Sequence, residues 1–239
     1  MVNLSDFSSF FIANWKLNGN KSFITEYIKK LQTNTENCLV ICPPTIYLNF
    51  IKIKYKNLFI GSQDVSIYNE GAYTGEVSVN MLVDNDIKFT IVGHSERRSY
   101  FNETNKNILI KSDKLIEKNI IPIICIGETL EQKEKNLTKE ILSRQLDECI
   151  PTTSNYKNSL IAYEPIWAIG SGLTPTIEQI DEVHSFIKNY DNKYNNFKIL
   201  YGGSVKSSNS KQITKLENVS GCLIGGASLN IDEFNKIID

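Results

Sequence analysis

The chain carries almost no net charge: 26 basic and 27 acidic residues sum to −1. That removes the electrostatic argument for a nucleic-acid or membrane-surface partner, so any anion site must be local. The five cysteines, Cys38, Cys42, Cys125, Cys149 and Cys222, are odd in number, and none forms a close pair of the metal-binding kind. A reduced, cytoplasmic chain is the expectation. The N-terminal residues have no basic segment and no long apolar run, so no signal peptide is expected. No window is apolar enough to span a bilayer. Domain linkers and low-complexity tracts are also missing.

What is present is a globular composition. The 239 residues are 41% hydrophobic and 22% charged, enough to bury a sizeable core. Short apolar runs recur at Phe10 to Asn14, Leu39 to Cys42, Leu58 to Ser62, Phe89 to Val92, Ile121 to Ile126, Ser159 to Tyr163, Lys198 to Tyr201 and Gly221 to Ile224. Their continuity in apolar residues suits strands buried on both faces. Amphipathic stretches separate them, for example Lys21 to Gln32, with Phe23, Tyr27, Ile28 and Leu31 on one stripe. Strand–helix alternation implies a parallel sheet. Eight such units fit a closed (β/α)8 barrel of the α/β class, a single domain over residues 1–239. An open doubly wound sheet is the alternative, but no glycine-rich fingerprint follows the first strand, where that fold would carry it. The Asn and Lys residues of the loops and outer helices read as solvated surface.

One stretch is unusual. After the sixth run comes Glu164, then Pro165, which ends the strand. Ile166, Trp167, Ala168 and Ile169 follow, then Gly170, Ser171, Gly172, Leu173, Thr174, Pro175 and Thr176. An apolar segment on a glycine-rich tether suggests either a lid that closes over a site beside Glu164 or a loop packed in place. Thr176 with Gln179 makes a capping box, so a helix should start directly after it.

In this architecture the site lies at the C-terminal ends of the strands. The first strand is followed by Asn14, Trp15 and Lys16, the fourth by His94 to Arg98, and the sixth by Glu164. Gly202-Gly203-Ser204 and Gly225-Gly226 follow the seventh and eighth. Each alone has an ordinary explanation: a solvated lysine, a histidine satisfied by backbone, a capping carboxylate, two tight turns. Together they set a cation, an imidazole and a carboxylate on one rim, beside two turns whose backbone N–H groups can bind a phosphate dianion. A water-shielded carboxylate can remove a proton next to a carbonyl while imidazole and ammonium stabilise the oxyanion. No Cys/His/Asp cluster marks a metal site, and no metal or cofactor is expected. The lid is then the better reading of the stretch after Glu164.

The chain resembles the triosephosphate isomerases from Phe11 to its C-terminus. The resemblance rests on Asn14-Trp15-Lys16-Leu17-Asn18, Gly61-Ser62-Gln63-Asp64, Gly71-Ala72-Tyr73-Thr74-Gly75-Glu76, Val92-Gly93-His94-Ser95-Glu96-Arg97-Arg98, Cys125-Ile126-Gly127-Glu128, Ala162 to Gly170, Tyr201-Gly202-Gly203-Ser204-Val205 and Gly225-Gly226-Ala227-Ser228-Leu229. It implies interconversion of dihydroxyacetone phosphate and D-glyceraldehyde 3-phosphate through an enediolate, in glycolysis and gluconeogenesis. It implies Glu164 as the proton-shuttling base, His94 as a neutral electrophile and Lys16 as positive charge for substrate and transition state. Asn14 would hydrogen-bond the substrate, and Glu96 would stand near Lys16. Backbone N–H groups of Gly170, Ser204, Gly225 and Gly226 would take the phosphate, and residues 166–176 would form the flap. Gly71 to Glu76 resembles a protruding dimer loop, including Thr74, Gly75 and Glu76, that enters a partner subunit with Thr74 near Asn14 of the partner subunit and His94 of the partner subunit, so a homodimer is implied.

Some positions depart from the family pattern. Asn102 and Asn105 stand where Gly and Asp are common, around Glu103, which is expected to pair with Arg97. Tyr73 replaces a Phe, Ser171 a Thr, and Pro175 sits in the flap's C-terminal hinge, where Ala is frequent. The region Ile51 to Asn57 reads as trimmed. Cys125 is expected to be a packed thiol, and His184 to be surface or structural. The competing functions are another phosphosugar barrel enzyme, such as a pentose-phosphate epimerase or an aminosugar-ketose isomerase, and a non-catalytic scaffold.

Overall fold

The computed structural model describes residues 2–56, 58–169 and 173–239. Eight strands, β1 (Ser9–Asn14), β2 (Asn37–Cys42), β3 (Phe59–Ser62), β4 (Phe89–Val92), β5 (Ile121–Ile126), β6 (Leu160–Tyr163), β7 (Lys198–Tyr201) and β8 (Gly221–Ile224), form a closed barrel in sequence order. Every neighbouring pair is parallel, and β1 closes the ring by pairing Phe10 with Cys38 of β2 and Gly221 of β8. The open-sheet alternative is thereby excluded. β2 starts two residues earlier than its apolar run suggests, because Asn37 and Cys38 pair with Ser9 and Phe10.

Alternation along each strand divides the core in two. Phe10, Ile12, Val40, Phe89, Ile91, Ile123, Leu160, Ala162, Leu200 and Leu223 fill the barrel interior, with Leu4 from an N-terminal 3-10 turn packed among them. Phe11, Ala13, Ile41, Val92, Ile124, Ile161, Tyr163, Ile199 and Tyr201 face the helical layer. The same alternation has a functional consequence at the rim. Continued past Ile12, Ala162, Leu200 and Leu223, the inward positions are Asn14, Glu164, Gly202 and Gly225, all of which line one cavity.

The outer layer holds α1 (Lys21–Lys30), α2 (Leu48–Lys54), α3 (Val79–Asp84), α4 (Ser95–Phe101), α5 (Asn105–Glu117), α6 (Leu130–Glu134), α7 (Thr138–Cys149), α8 (Ile177–Asn189), α9 (Ser210–Thr214) and α10 (Ile231–Ile238). The stretch after β2 begins as a 3-10 turn, Thr45–Tyr47, and runs on into α2. The capping box at α8 is present: Gln179 N–H donates to Thr176 Oγ1 at 3.2 Å, and Thr176 N–H donates to Gln179 Oε1 at 3.0 Å. Asn102 ends α4 at φ +53°, a left-handed C-cap that explains a position where glycine is common. No helix among the described residues is long and apolar enough to cross a membrane. The five cysteines are free and buried.

Lys111 differs from the surface reading of the outer-helix lysines, and His184 takes the structural one of its two readings. Lys111 on α5 is only 5% exposed, and its ammonium pairs with Asp64 at 2.7 Å and with Glu103. Arg97 takes Asp64 as its close partner at 2.8 Å, with Glu103 farther off at 3.7 Å from Nε, so Glu103 belongs mainly to Lys111. His184 on α8 is fully buried, with Nδ1 3.3 Å from the Asn218 carbonyl and its ring edge-on to Tyr163. Burial lowers its pKa to about 4, against the opposing pull of the Asn218 carbonyl. The unfolded chain binds a proton near pH 6.5 and the folded chain does not, so stability falls as pH drops from about 6.5 towards 4. The expected loss from this residue alone is about 2 kcal/mol at pH 5 relative to pH 7.5. Urea unfolding of the wild type and His184→Gln at both pH values checks this: the stability gap between them should narrow at pH 5, and a gap independent of pH contradicts it.

Candidate active site

The first rim residues come from the end of β1. Asn14 points inward, and its Oδ1 accepts the Lys16 N–H at 3.1 Å. Trp15 points outward and is buried against Phe23 and Tyr27, which anchors the turn. Lys16 has φ +51°, a left-handed backbone that costs a non-glycine residue roughly 1–3 kcal/mol. The conformation is held from β3: Gln63 Nε2 donates to the Lys16 carbonyl at 2.8 Å and to the Cys42 carbonyl at 2.9 Å. The turn delivers Lys16 Nζ to within 2.6 Å of Glu96 Oε1.

His94 follows β4 and is the N-cap of α4, with Nδ1 accepting the Glu96 N–H at 3.2 Å. Its Nε2 lies 3.0 Å from Glu164 Oε1, and Glu164 Oε2 accepts the Ser95 N–H at 3.0 Å. Both oxygens of Glu164 are therefore engaged by the β4 turn, and the residue is only 2% exposed. Two glycines make room for it. A Cβ on Gly127 would sit 1.7 Å from the Glu164 carbonyl oxygen, and one on Gly202 would sit 2.8 Å from Glu164 Cγ.

Burial favours the neutral form of both partners, yet their contact prevails. Burial raises the Glu164 pKa, but His94, the Ser95 N–H and Lys16 bring it below the usual carboxylate value. Burial lowers that of His94, and the Glu164 carboxylate brings it above the usual imidazole value, against Lys16. The helix cap opposes that upward pull, because a proton on Nδ1 would face the Glu96 N–H across 3.2 Å. The geometry is that of a neutral imidazole with its proton on Nε2, donating to ionised Glu164. Cys125, at the end of β5, is a buried thiol whose pKa burial and Glu164 push well up.

Asn14, Lys16, His94, Glu164, Ser204, Gly225 and Gly226 line a single cavity of about 700 Å³. Glu96 stands behind Lys16. Among the described residues, the backbone N–H groups of Ser204, Gly225 and Gly226 have no acceptor within the protein. They provide a neutral set of donors for an anion. Gly170, named with them from the sequence, lies outside the described residues, as do Ser171 and Gly172 of the flap.

The described parts of residues 166–176, expected as a flap, are held differently at their two ends. Ile166–Ala168 is a 3-10 turn. Trp167 Nε1 donates to Glu128 Oε1 at 2.8 Å, Tyr163 donates to the same oxygen at 3.1 Å, and Lys133 Nζ lies 3.2 Å from the centre of the Trp167 ring. Burial raises the pKa of Glu128, against the bond from Trp167. Ile169 reaches the cavity; Leu173 and Thr174 are exposed, Pro175 is buried, and Thr176 caps α8. Thr74, Gly75 and Glu76 do not join the cavity of their own chain: residues 71–76 form an exposed loop, where Tyr73 stacks on Tyr68 at 3.6 Å.

Sequence reasoning passed over several contributors. Gln63 holds the Lys16 turn, the Ser95 N–H holds Glu164, and Glu128 anchors Trp167. Lys206, Leu223, Asn230 and Glu233 also line the cavity. Asn230 and Glu233 stand three apart, the spacing of a helix cap, which signals a helix start and nothing about a site. Among the described residues, no group of three or more His, Cys, Asp and Glu side chains is placed to hold a metal ion.

The family model described as triosephosphate isomerase matches residues 9–239. The chain is 39% identical over 240 residues to the triosephosphate isomerase of Francisella philomiragia, covering 95% of both chains. It is 41% identical over 244 residues to that of Buchnera aphidicola from Cinara cedri, covering 95% of this chain and 96% of the other. Against the triosephosphate isomerase of Francisella tularensis subsp. mediasiatica the identity is 40% over 240 residues, with 95% of each chain covered. A barrel closed in sequence order, a carboxylate–imidazole pair at its rim and this match along almost the whole length lead to one conclusion: the chain belongs to the triosephosphate isomerase family.

Proposed function

We propose that Glu164 carries the proton by which this triosephosphate isomerase interconverts dihydroxyacetone phosphate and D-glyceraldehyde 3-phosphate. The observation that carries the reading is the Glu164–His94 contact of 3.0 Å at the rim of the cavity that Lys16 also lines. In this structure His94 Nε2–H points at the base. Substrate entry breaks that bond. The Nε2–H then turns to the carbonyl oxygen, and the freed carboxylate faces the C–H bond.

Glu164 takes a proton from C1 of dihydroxyacetone phosphate, and the electron pair moves onto the carbonyl oxygen to give the enediolate. His94 Nε2–H and the Lys16 ammonium stabilise that negative charge. Protonation at C2, with O–H protons redistributed between the two oxygens, gives the aldehyde. A neutral imidazole in this role is the established pattern for this enzyme family, ascribed to the positive end of the adjoining helix. Here the Glu96 N–H to Nδ1 bond also fixes the tautomer. Glu96 holds Lys16, and Asn14 holds the Lys16 turn while presenting its amide to the substrate. Ser204, Gly225 and Gly226, with Gly170 of the flap, bind the phosphate through backbone N–H groups. Residues 166–176 close over the enediolate and suppress loss of its phosphate.

Residues 1–239 act as one catalytic domain without metal or cofactor, in the cytoplasm, as a homodimer. Residues 71–76 are exposed, which supports the dimer; by the family resemblance Thr74 would reach towards Asn14 of the partner subunit and His94 of the partner subunit. A coupled assay for glyceraldehyde 3-phosphate isomerisation after exhaustive chelation tests the function. Full activity, inhibited competitively by phosphoglycolate, is expected. Activity lost on chelation and restored by a divalent metal would instead point to the epimerase reading.

A further inference from the structure

The cavity runs past the phosphate-binding turns to Glu233, a residue with no part in the proton transfer. Glu233 stands on the first turn of α10. Its Oε1 accepts the Ser207 N–H at 2.7 Å, and its Oε2 accepts the Ser207 hydroxyl at 2.9 Å. Ser207 belongs to the turn after β7, three residues beyond Ser204. Both oxygens of one carboxylate are thus committed to the neighbouring unit of the barrel.

The two ends of this contact lead directly to the phosphate donors. On one side, Asn209 Nδ2 donates to the Ser204 carbonyl at 3.1 Å, and the Lys206 N–H donates to Asn209 Oδ1 at 2.8 Å. That makes residues 204–209 a unit closed on itself. On the other side, Asn230 Oδ1 accepts the N–H groups of Asp232 at 3.0 Å and Glu233 at 3.1 Å. The Asn230 N–H donates to the Ala227 carbonyl, and the Ser228 N–H to that of Gly225. Hydrogen bonds linked by short lengths of main chain therefore lead from Ser204 through Ser207 and Glu233 to Asn230 and the Gly225-Gly226 turn. Adjacent strands of the barrel carry the two turns, but among the described residues only the Glu233–Ser207 pair hydrogen-bonds the segment 203–209 to the segment 225–233.

We propose that Glu233 is a positioning residue: its carboxylate clasps the β7 turn onto the start of α10 and sets the spacing between the Ser204 N–H and those of Gly225 and Gly226. The inference rests on the reading of these turns as the phosphate site. Bonds to a carboxylate are roughly twice as strong as neutral ones, which suits a clasp at a partly exposed rim. The Ser207 N–H, then its hydroxyl, hold Glu233 below the usual carboxylate pKa, so it is ionised when the enzyme works. An ionised carboxylate lining a dianion site would by charge alone weaken binding. The clasp and simple repulsion therefore predict opposite signs for its removal.

The test compares the wild type with Glu233→Ala, Glu233→Gln and Ser207→Ala. It measures KM and kcat for glyceraldehyde 3-phosphate, inhibition by phosphoglycolate, and turnover of phosphate-free glyceraldehyde. The clasp predicts that Glu233→Ala raises KM and the phosphoglycolate inhibition constant by at least about tenfold, since both charge-assisted hydrogen bonds to Ser207 are lost and one alone is worth about that factor. The ratio of kcat/KM for the phosphorylated over the phosphate-free substrate should fall by a similar factor. Glu233→Gln keeps an acceptor for the Ser207 N–H, and Ser207→Ala keeps that N–H as donor, so both should fall between. An inhibition constant that is unchanged or lower in Glu233→Ala overturns the clasp. So does a loss shared equally by both substrates, the mark of general destabilisation. If the wild type itself is not inhibited by phosphoglycolate and shows no preference for the phosphorylated substrate, the phosphate reading fails first and the clasp falls with it.

Discussion

Replacing Glu164 with glutamine is expected to lower kcat by about 10²–10⁴-fold, the range that a positioned general base contributes. KM should change by only a few fold. The amide oxygen can still accept the Ser95 N–H that now bonds Oε2 at 3.0 Å, so the β4 turn keeps its shape. What the amide cannot do is accept a proton from carbon. Alanine should show a similar loss of kcat, but it also strips the acceptors from His94 Nε2 and the Ser95 N–H. Aspartate keeps the charge and withdraws it by one methylene. It should fall between wild type and glutamine, because proton transfer depends steeply on reach. Steady-state kinetics on all three variants check the series. A Glu164→Gln enzyme with wild-type kcat removes Glu164 from the reaction.

Lys16→Met should lower kcat/KM by about 10²–10³-fold, the usual cost of one lost electrostatic donor in a closed site. Both kinetic constants should suffer, since the substrate dianion already carries charge before the enediolate forms. The loss of the ammonium also leaves Glu96 without its partner at 2.6 Å. A Lys16→Met, Glu96→Gln double variant should accordingly recover part of the binding loss and little of kcat. Arginine is a poor substitute. A planar guanidinium does not follow the path of a flexible ammonium, and a Cβ on Gly225 would stand 3.2 Å from Lys16 Cε, so that side of the chain has little spare room. Equal kcat/KM for Lys16→Arg and wild type would contradict this role for the turn.

Much of the barrel and its rim is legible in the sequence, because strands of a closed parallel barrel are buried on both faces. Runs such as Ile121 to Ile126 are therefore continuous in apolar residues, and the residues directly after each run lie at the rim. Thr176 and Gln179 announce a helix from three residues' separation alone. The contacts that escape a sequence reading join distant parts of the chain. Gln63 meets the Lys16 carbonyl 47 residues away, and Glu233 meets Ser207 26 residues away, separations set by barrel closure and by no local pattern. Lys111 reads as a solvated lysine on an amphipathic helix. It is buried because Asp64 and Glu103 converge on it from other segments. His184 reads as surface or structural, and only the packing of α8 against Tyr163 and the Asn218 carbonyl shows that it points inward.

The central claim is that one carboxylate moves one proton between adjacent carbons. Dihydroxyacetone phosphate incubated with the enzyme in D2O measures this directly, by nuclear magnetic resonance of the deuterium entering C1 of the ketose and C2 of the aldose. The wild type should place deuterium at a single C1 position and at C2, and Glu164→Gln should slow both by the same factor as kcat. Deuterium entering at the wild-type rate in Glu164→Gln would contradict the claim.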